Sequence, residues 1–186
     1  MKLKQTLVAS IFFLASSIVY ADNYKIDPAH STVQFIANHL GFSHLVGRFN
    51  TFEGSFSVEE DGSSNQAVMV IDAASVDTNH TKRDDHLRSP DFFNAKEFPK
   101  IEFASTAFKK TENGGLLTGK LSLLGVTKPV EFKLTKIGEG KDPWGGYRIG
   151  YNATTTINRT DFGMNYMAPA IPVEIILNLF IEGIKE

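Results

Sequence analysis

The sequence predicts an all-β fold of about eight antiparallel strands that is interrupted once by a short helical insertion. Three observations predict this fold. Apolar and polar residues alternate over much of the chain with the two-residue period of a half-buried strand. Clusters of Gly, Pro, Asn and Asp separate these runs at even spacing. One segment, residues 77–94, lacks the alternation and is rich in charged residues.

The clearest alternation lies in residues 31–38 and 46–59. Val33, Phe35 and Ala37 share one face of the first run, and the second run places Phe and Gly residues on one face and polar residues on the other. Six further strands are expected at residues 67–76, 100–109, 116–124, 127–137, 146–158 and 172–184. A closed barrel of about eight strands has room for side chains or one ligand, and closure removes exposed edges. A two-sheet sandwich fits the same pattern.

Residues 77–94 are expected to form a short helix and a second helical turn between two strands. Thr78 or Asn79 is suited to cap the helix, and Asp84 and Arg88 have the spacing of a surface ion pair. Long insertions of this kind often cover a functional site, and a plug for one barrel end is the structural alternative.

Residues 1–21 resemble a cleaved signal peptide. Lys2 and Lys4 precede an apolar run, and Val19-Tyr20-Ala21 supplies suitable residues before a cut. The run is shorter than the roughly 20 residues that a membrane-spanning helix needs. The chain contains no cysteine, so neither a disulfide nor lipid attachment at a new N-terminal cysteine is possible. We expect a soluble mature chain, residues 22–186, that forms one domain without a stable membrane anchor.

Composition narrows the classes of partner. The formal net charge is −2, and removal of the two signal lysines makes the mature chain more acidic, which argues against nucleic acid or an anionic membrane surface as the main partner. Phenylalanine dominates the aromatic residues, with 15 Phe against one Trp and five Tyr. Phe has no polar group, so it is suited to a dry core or to the lining of an apolar cavity. We expect Phe35, Phe56, Phe103 and Phe132 to face inward.

Catalytic motifs are weak in this sequence. Residues 41–45 approach a nucleophile elbow but lack its final glycine, and there is no phosphate-binding loop or dinucleotide fingerprint. Five histidines, at positions 30, 39, 44, 80 and 86, raise the alternative of a metal site, yet no pair has helical i, i+4 spacing. We therefore expect no catalysis and predict no metal ligands. A metal-dependent or hydrolytic enzyme is the alternative.

Basic residues in and beyond the insertion indicate a polar end to an apolar pocket. Arg83, His86, Arg88 and Arg159 carry donors that suit a phosphate or another polar head group. The alternative is that Arg83 forms ion pairs with Asp84 or Asp161 that fasten the insertion to the barrel.

Nine short stretches, in this order, resemble the YceI family of bacterial periplasmic polyisoprenoid-binding proteins. They are YKID (24–27), HSTV (30–33), HLGF (39–42), SVDTNH (75–80), RDDHLRS (83–89), DFFN (91–94), GVTKPV (125–130), DPWG (142–145) and RTDFG (159–163). Each stretch alone is a weak signal, but nine in one order are specific.

The resemblance implies an extended, lipocalin-like barrel of eight antiparallel strands whose dry interior holds a long polyisoprenoid lipid, such as a prenyl phosphate or an isoprenoid quinone. It implies a periplasmic location and a lipid as the bound partner, without nucleic acid and without another cofactor; a homodimer is possible. It does not distinguish carriage from storage or sensing. Combined with the residue chemistry, it predicts ligand contacts from Phe35, His39, Phe42, Phe56, Arg83, His86, Phe92, Phe103, Phe132 and Arg159.

Overall fold

A closed antiparallel barrel is the architecture of the computed structural model, which describes residues 21–59 and 65–186. The signal sequence predicted for residues 1–21 therefore lies almost wholly outside the described residues. The turn that Asp61 and Gly62 predict also lies outside them.

Eleven strands and one α-helix build the described part of the chain. They are β1 Asp22–Ile26, β2 Thr32–His39, β3 Ser43–Phe49, β4 Phe52–Val58, β5 Ala67–Asp72, β6 Val76–Asp77, α1 Thr81–Arg88, β7 Lys100–Thr111, β8 Gly114–Leu123, β9 Val126–Lys141, β10 Tyr147–Asn158 and β11 Glu174–Lys185. Short 3-10 turns occupy Ala73–Ser75 and Arg159–Phe162.

The eleven strands form eight barrel strands, because three of the eight are each broken into two segments. β1 and β2 lie end to end along β11, with Tyr24 opposite Lys185 and Val33 opposite Leu179. β3 with β4, and β5 with β6, form the next two broken strands. Since β11 also pairs with β10 on its other side, the sheet closes on itself. The eight-stranded barrel with a short helix is confirmed, and the sandwich alternative is wrong.

Two details of the strand prediction are wrong. β1 was not among the expected strands, because only Tyr24 and Ile26 of its five residues are buried and the run is too short to show a pattern. The strand expected at 46–59 breaks at Asn50 and Thr51. Their backbone amides donate to the Ser75 carbonyl (3.1 Å) and the Ser75 Oγ (3.1 Å), respectively, and so leave the regular ladder.

The helix in the insertion begins at Thr81, and its cap is His80 rather than Thr78 or Asn79. The His80 Nδ1 accepts a hydrogen bond from the Arg83 backbone amide at 3.2 Å. Histidine is an uncommon cap, so the usual Ser, Thr, Asp and Asn preference pointed to its neighbours.

The predicted surface pair between Asp84 and Arg88 is also wrong. Asp84 is buried and accepts hydrogen bonds from the Thr78 backbone amide (2.8 Å) and the Thr78 Oγ1 (2.5 Å). Arg88 pairs instead with Asp85, at 2.9 Å. The carboxylate of Asp84 is thus used to fasten the start of the insertion to the helix.

Candidate ligand cavity

The barrel interior encloses a cavity of about 580 Å³ with a largely apolar lining. It extends from Arg83 and Tyr166 at the α1 end of the barrel to Ser57 and Gln66 beside the β4–β5 connection. Its volume lies within the range of small-molecule sites, roughly 300–1,000 Å³. Strand alternation explains the lining, because every second residue of each strand faces the barrel axis.

Inward-facing glycines explain how a Phe-rich barrel keeps this space open. The ring of Phe35 lies on Gly47 of the neighbouring strand so closely that a methyl group on Gly47 would overlap it. The same arrangement recurs at three other pairs, Phe56 with Gly183, Phe103 with Gly119 and Phe108 with Gly115. The rings therefore lie against the wall instead of meeting across the axis. A sequence signal exists, because these glycines fall in phase with the apolar positions of their strands.

Arg83 lies at the α1 end of the cavity and is held by Thr78. Its Nε donates to the Thr78 Oγ1 at 2.7 Å, and its Nη2 donates to the Thr78 carbonyl at 2.8 Å. Asp84 accepts from the same Thr78 hydroxyl, so it positions Arg83 indirectly. Within the described residues no ion pair joins Arg83 to Asp84 or Asp161. The guanidinium of Arg83 is oriented, and its Nη1 has no hydrogen-bond partner within the described residues.

His86 forms part of an aromatic group beside Arg83. Its ring makes edge contacts with Phe92 and Tyr166 at centroid distances of 5.0 and 5.1 Å, and Phe92 contacts Tyr166 at 5.2 Å. The His86 Nε2 lies 2.8 Å from the Asp91 carboxylate. All three rings line the cavity, so they bound its α1 end with apolar faces and one polar nitrogen.

Arg159 is buried, with 2% of its surface exposed, and its donors go to backbone carbonyls. It donates to the carbonyls of Met164 (2.6 Å), Tyr166 (3.0 Å), Ile171 (3.0 Å) and Pro172 (3.2 Å). Burial lowers the pKa of Arg159. The hydrogen bonds show that Arg159 organises the loop of residues 163–173, which follows the 3-10 turn. Arg159 also lines the cavity, but its donors are used within the protein, whereas the sequence pattern placed them at the polar end of the pocket.

Nine of the ten residues predicted to contact a ligand line the cavity, including His39, Phe103 and Phe132. Phe42 does not: it projects from the β2–β3 turn with 86% of its surface exposed, because the strand alternation that orients the other phenylalanines has ended at His39. Sequence reasoning missed Tyr166 and many aliphatic lining residues. Alternation along β8 could have identified Leu117 and Leu121.

An ionic cluster lies at the opposite end of the barrel. Arg148 bonds to Asp27 (2.7 Å), Asp142 (2.8 Å) and Glu182, and Asp27 also lies 2.8 Å from His30 Nδ1. The hydrogen bonds from His30 and Arg148 lower the pKa of Asp27 to about 2. Those from Arg148 and from the backbone lower the pKa of Asp142.

Asp27, His30 and Glu182 form a group with ligand atoms close enough to hold a metal ion, and in the described part of the chain it is the one such group. Arg148 occupies carboxylate oxygens of both acids. Histidines 39, 44, 80 and 86 belong to no such group within the described ranges. We therefore interpret the group as part of an ion-pair network that connects the end of β1 with β10 and β11.

None of the described helices is both long and apolar enough to cross a membrane.

Comparison with known proteins places the fold and the sequence in one family. The family model for a "YceI-like domain" matches residues 24–182. A "UPF0312 protein" of Shewanella denitrificans is 45% identical over 191 residues, which cover 99% of this chain and 100% of that protein. The solved structure of Burkholderia cenocepacia BcnA has a TM-score of 0.77 at 23% identity and covers 84% of this chain and 98% of that one.

A polyisoprenoid binding domain from Saccharophagus degradans has a TM-score of 0.66 at 15% identity, with coverage of 88% of this chain and 98% of that domain. At 23% and 15% identity, the two solved structures show a similarity of fold and nothing more. The full-length relative and the family model go further, and they confirm the resemblance of the nine short stretches: this chain belongs to the YceI-like family.

Proposed function

We propose that the chain binds a long polyisoprenoid lipid, either a prenyl phosphate or an isoprenoid quinone, inside the barrel. The cavity of about 580 Å³ with its apolar lining is the observation that carries the proposal. Family membership and the similarity of the fold to a polyisoprenoid binding domain support it.

The chemistry of the lining suits such a tail. An isoprenoid chain offers methyl and methylene surface and no hydrogen bonds, so its transfer from water is favourable by about 25 cal/mol per Å² buried. The rings of Phe35, Phe56 and Phe103 lie against the barrel wall and give the tail an apolar surface to contact. Affinity is then expected to come from buried area, and selectivity for tail length from the length of the cavity.

The head group is proposed to lie at the α1 end, near Arg83 and His86. The two Thr78 hydrogen bonds orient the Arg83 guanidinium and leave Nη1 available to a phosphate or carbonyl oxygen. The His86 Nε2 is already in contact with the Asp91 carboxylate, so Nδ1, which carries a proton only in the protonated ring, is the nitrogen left to donate to a head group. His39 lines the same cavity from the end of β2.

The proposal includes export to the periplasm with cleavage after Ala21. The basic start and apolar run of the first 21 residues support it. N-terminal sequencing of the exported protein is expected to begin at Asp22, and a membrane-bound form that retains Met1 would contradict it.

Solvent extraction and mass spectrometry of the purified exported protein test the binding proposal. We expect a stoichiometric isoprenoid lipid. Leu179→Glu, which places a carboxylate in the cavity wall, is expected to abolish lipid retention, whereas Phe180→Glu at the next, outward-facing position should retain it. Protein that folds and carries no lipid in any preparation would overturn the proposal.

The alternative, an enzyme acting on such a lipid, is favoured by no specific arrangement of the residues that the structure describes. We propose a binding protein without catalysis. A stoichiometric tightly bound zinc ion, lost together with hydrolase activity in His39→Ala or His86→Ala, would establish the enzyme instead.

A further inference from the structure

Exposed apolar side chains gather at the α1 end of the barrel. Leu40 and Met167 are each 54% exposed, and Phe42 is almost fully exposed. Val46 and Ile176 on the outer wall join them, so five of the nine large apolar side chains that are exposed in the described residues share this end. Exposed apolar patches of this kind usually mark an interaction surface.

Strand register places these residues beside one another. Ala37 of β2 lies opposite Ile175 of β11, so the β2–β3 turn and the 163–173 loop flank the same part of the α1 end of the cavity. We call this part the cavity mouth, because residues that line the cavity are also exposed there. On the outer wall, Ile36 lies opposite both Ile176 and Val46. Leu40 and Met167 also line the cavity, which makes the patch continuous with its interior. We call the β2–β3 turn, Val46 and the 163–173 loop the rim.

The rim is free of permanent charge. Residues 38–47 and 162–173 contain no Asp, Glu, Lys or Arg, although 22% of the whole chain is charged. The titratable side chains of these two segments are His39, His44 and Tyr166. The charged residues that border the segments are Arg48, Asp161 and Glu174. A surface without fixed charges can leave water without the large desolvation cost that a carboxylate or ammonium group would add.

The rim backbone is held so that its apolar side chains stay outside. Arg159 fixes the 163–173 loop from within through four carbonyl hydrogen bonds. Leu40 and Met167 adopt positive φ angles of 55° and 48°, a conformation that is unusual for such residues. The turns thus present apolar side chains to the exterior at a cost in backbone conformation.

We propose that the rim docks on the surface of a phospholipid bilayer, with Phe42, Leu40 and Met167 inserted among the acyl chains and the cavity mouth facing the membrane. This inference rests on the proposed function, because a water-insoluble tail enters and leaves its carrier most readily at a lipid surface. The lack of fixed charge matches the acyl region and not an anionic head-group layer, which fits the acidic net charge of the chain.

Flotation of the purified exported protein with phosphatidylcholine vesicles tests the proposal. Phe42→Ser combined with Val46→Ser is expected to lower the vesicle-bound fraction about tenfold, since neither residue lines the cavity and each loses apolar contact with the bilayer. The control combines Trp144→Ser with Ile137→Ser, which are 78% and 70% exposed away from the rim and should bind vesicles like the wild type. Binding should persist at high salt.

Three results would overturn docking by apolar insertion. They are an absence of vesicle binding by the wild type, equal loss in the control variant, and binding that requires anionic lipid and disappears with salt. If the rim variant instead converts a dimer into monomers in analytical ultracentrifugation, the patch covers a second copy of the chain. Lipid extraction from the same protein distinguishes failure of the docking from failure of the proposed function. Protein that contains lipid but does not bind vesicles contradicts the docking alone.

Discussion

Single glycines decide whether the barrel interior is open or filled. At Gly47 the neighbouring Phe35 ring occupies the space of a side chain, so any larger residue pushes that ring toward the cavity. Close packing of this kind is costly to change even by one methyl group. The phenylalanine rings and the glycines therefore depend on each other, because each ring can lie against the barrel wall only where the facing residue is glycine.

Gly47→Ala is expected to destabilise the protein by about 1–3 kcal/mol through overpacking, and to reduce the amount of bound lipid. Gly138→Ala is the control, because apart from Gly138 itself and its two chain neighbours no atom lies within 4 Å of the position that the methyl group would take. Urea unfolding and lipid extraction of both variants measure the two effects. Equal behaviour of the two variants would show that the Phe35 ring can move without cost.

In the proposed function, head-group recognition depends on Arg83. Arg83→Ala is expected to retain a head-less prenol and to lose most affinity for its diphosphate, because charge-assisted hydrogen bonds contribute more than neutral ones. The control is Arg88→Ala on the same helix; Arg88 bonds to the Ala74 and Val76 carbonyls and is not part of the cavity wall. Binding of both ligands and the melting temperature are measured for each variant. Equal loss of prenol and diphosphate in Arg83→Ala would assign Arg83 a structural role only.

Among the strands, Arg148 on β10 links three segments of the chain. It bonds to Asp27 after the end of β1, to Asp142 in the turn before β10, and to Glu182 on β11. Asp27 and Asp142 are 12% and 7% exposed at their side chains, so solvent screens them less than surface pairs. Their lowered pKa values mean that folding favours the ionised carboxylates.

This cluster predicts acid sensitivity with a definite sign. A carboxyl group whose pKa falls on folding stabilises the protein above its unfolded pKa, and that contribution is lost as pH falls through the folded value. For Asp27 the window runs from the ordinary 3.8 down to about 2. We expect the free energy of unfolding to drop across this window. Asp27→Asn should be less stable at neutral pH and show a shallower drop, and an unchanged acid slope would contradict the role of Asp27.

In the insertion between β6 and β7, local sequence determines the helix and tertiary packing determines the side-chain partners. Its charge and its lack of alternation predicted a helical element, and α1 confirms that. The predicted ion pair between Asp84 and Arg88 was wrong, because the Asp84 carboxylate points inward and accepts hydrogen bonds from Thr78. A buried carboxylate without donors is costly, whereas an exposed ion pair contributes little to stability.

For the whole molecule, the large cavity predicts a stability that depends on its ligand. A lipid that binds only the folded barrel raises the free energy of unfolding by about 2.7 kcal/mol at a concentration of 100 times its Kd. Delipidated protein is therefore expected to melt at a lower temperature and to recover on reloading. Leu179→Glu should show no such recovery. Identical melting of loaded and delipidated wild type would mean that the lipid is not held inside the folded barrel.

The sequence by itself determined the strand character, the inward set that includes Phe35 and Phe132, and the position of the insertion, because two-residue alternation and turn chemistry are local properties. It did not determine closure, which depends on β1 and β2 pairing with β11 about 150 residues later in the chain. It also did not determine that Phe42 lies outside the cavity or that Arg159 donates to backbone carbonyls. The tertiary structure decided these, since burial and the choice of hydrogen-bond partners depend on which distant segments meet.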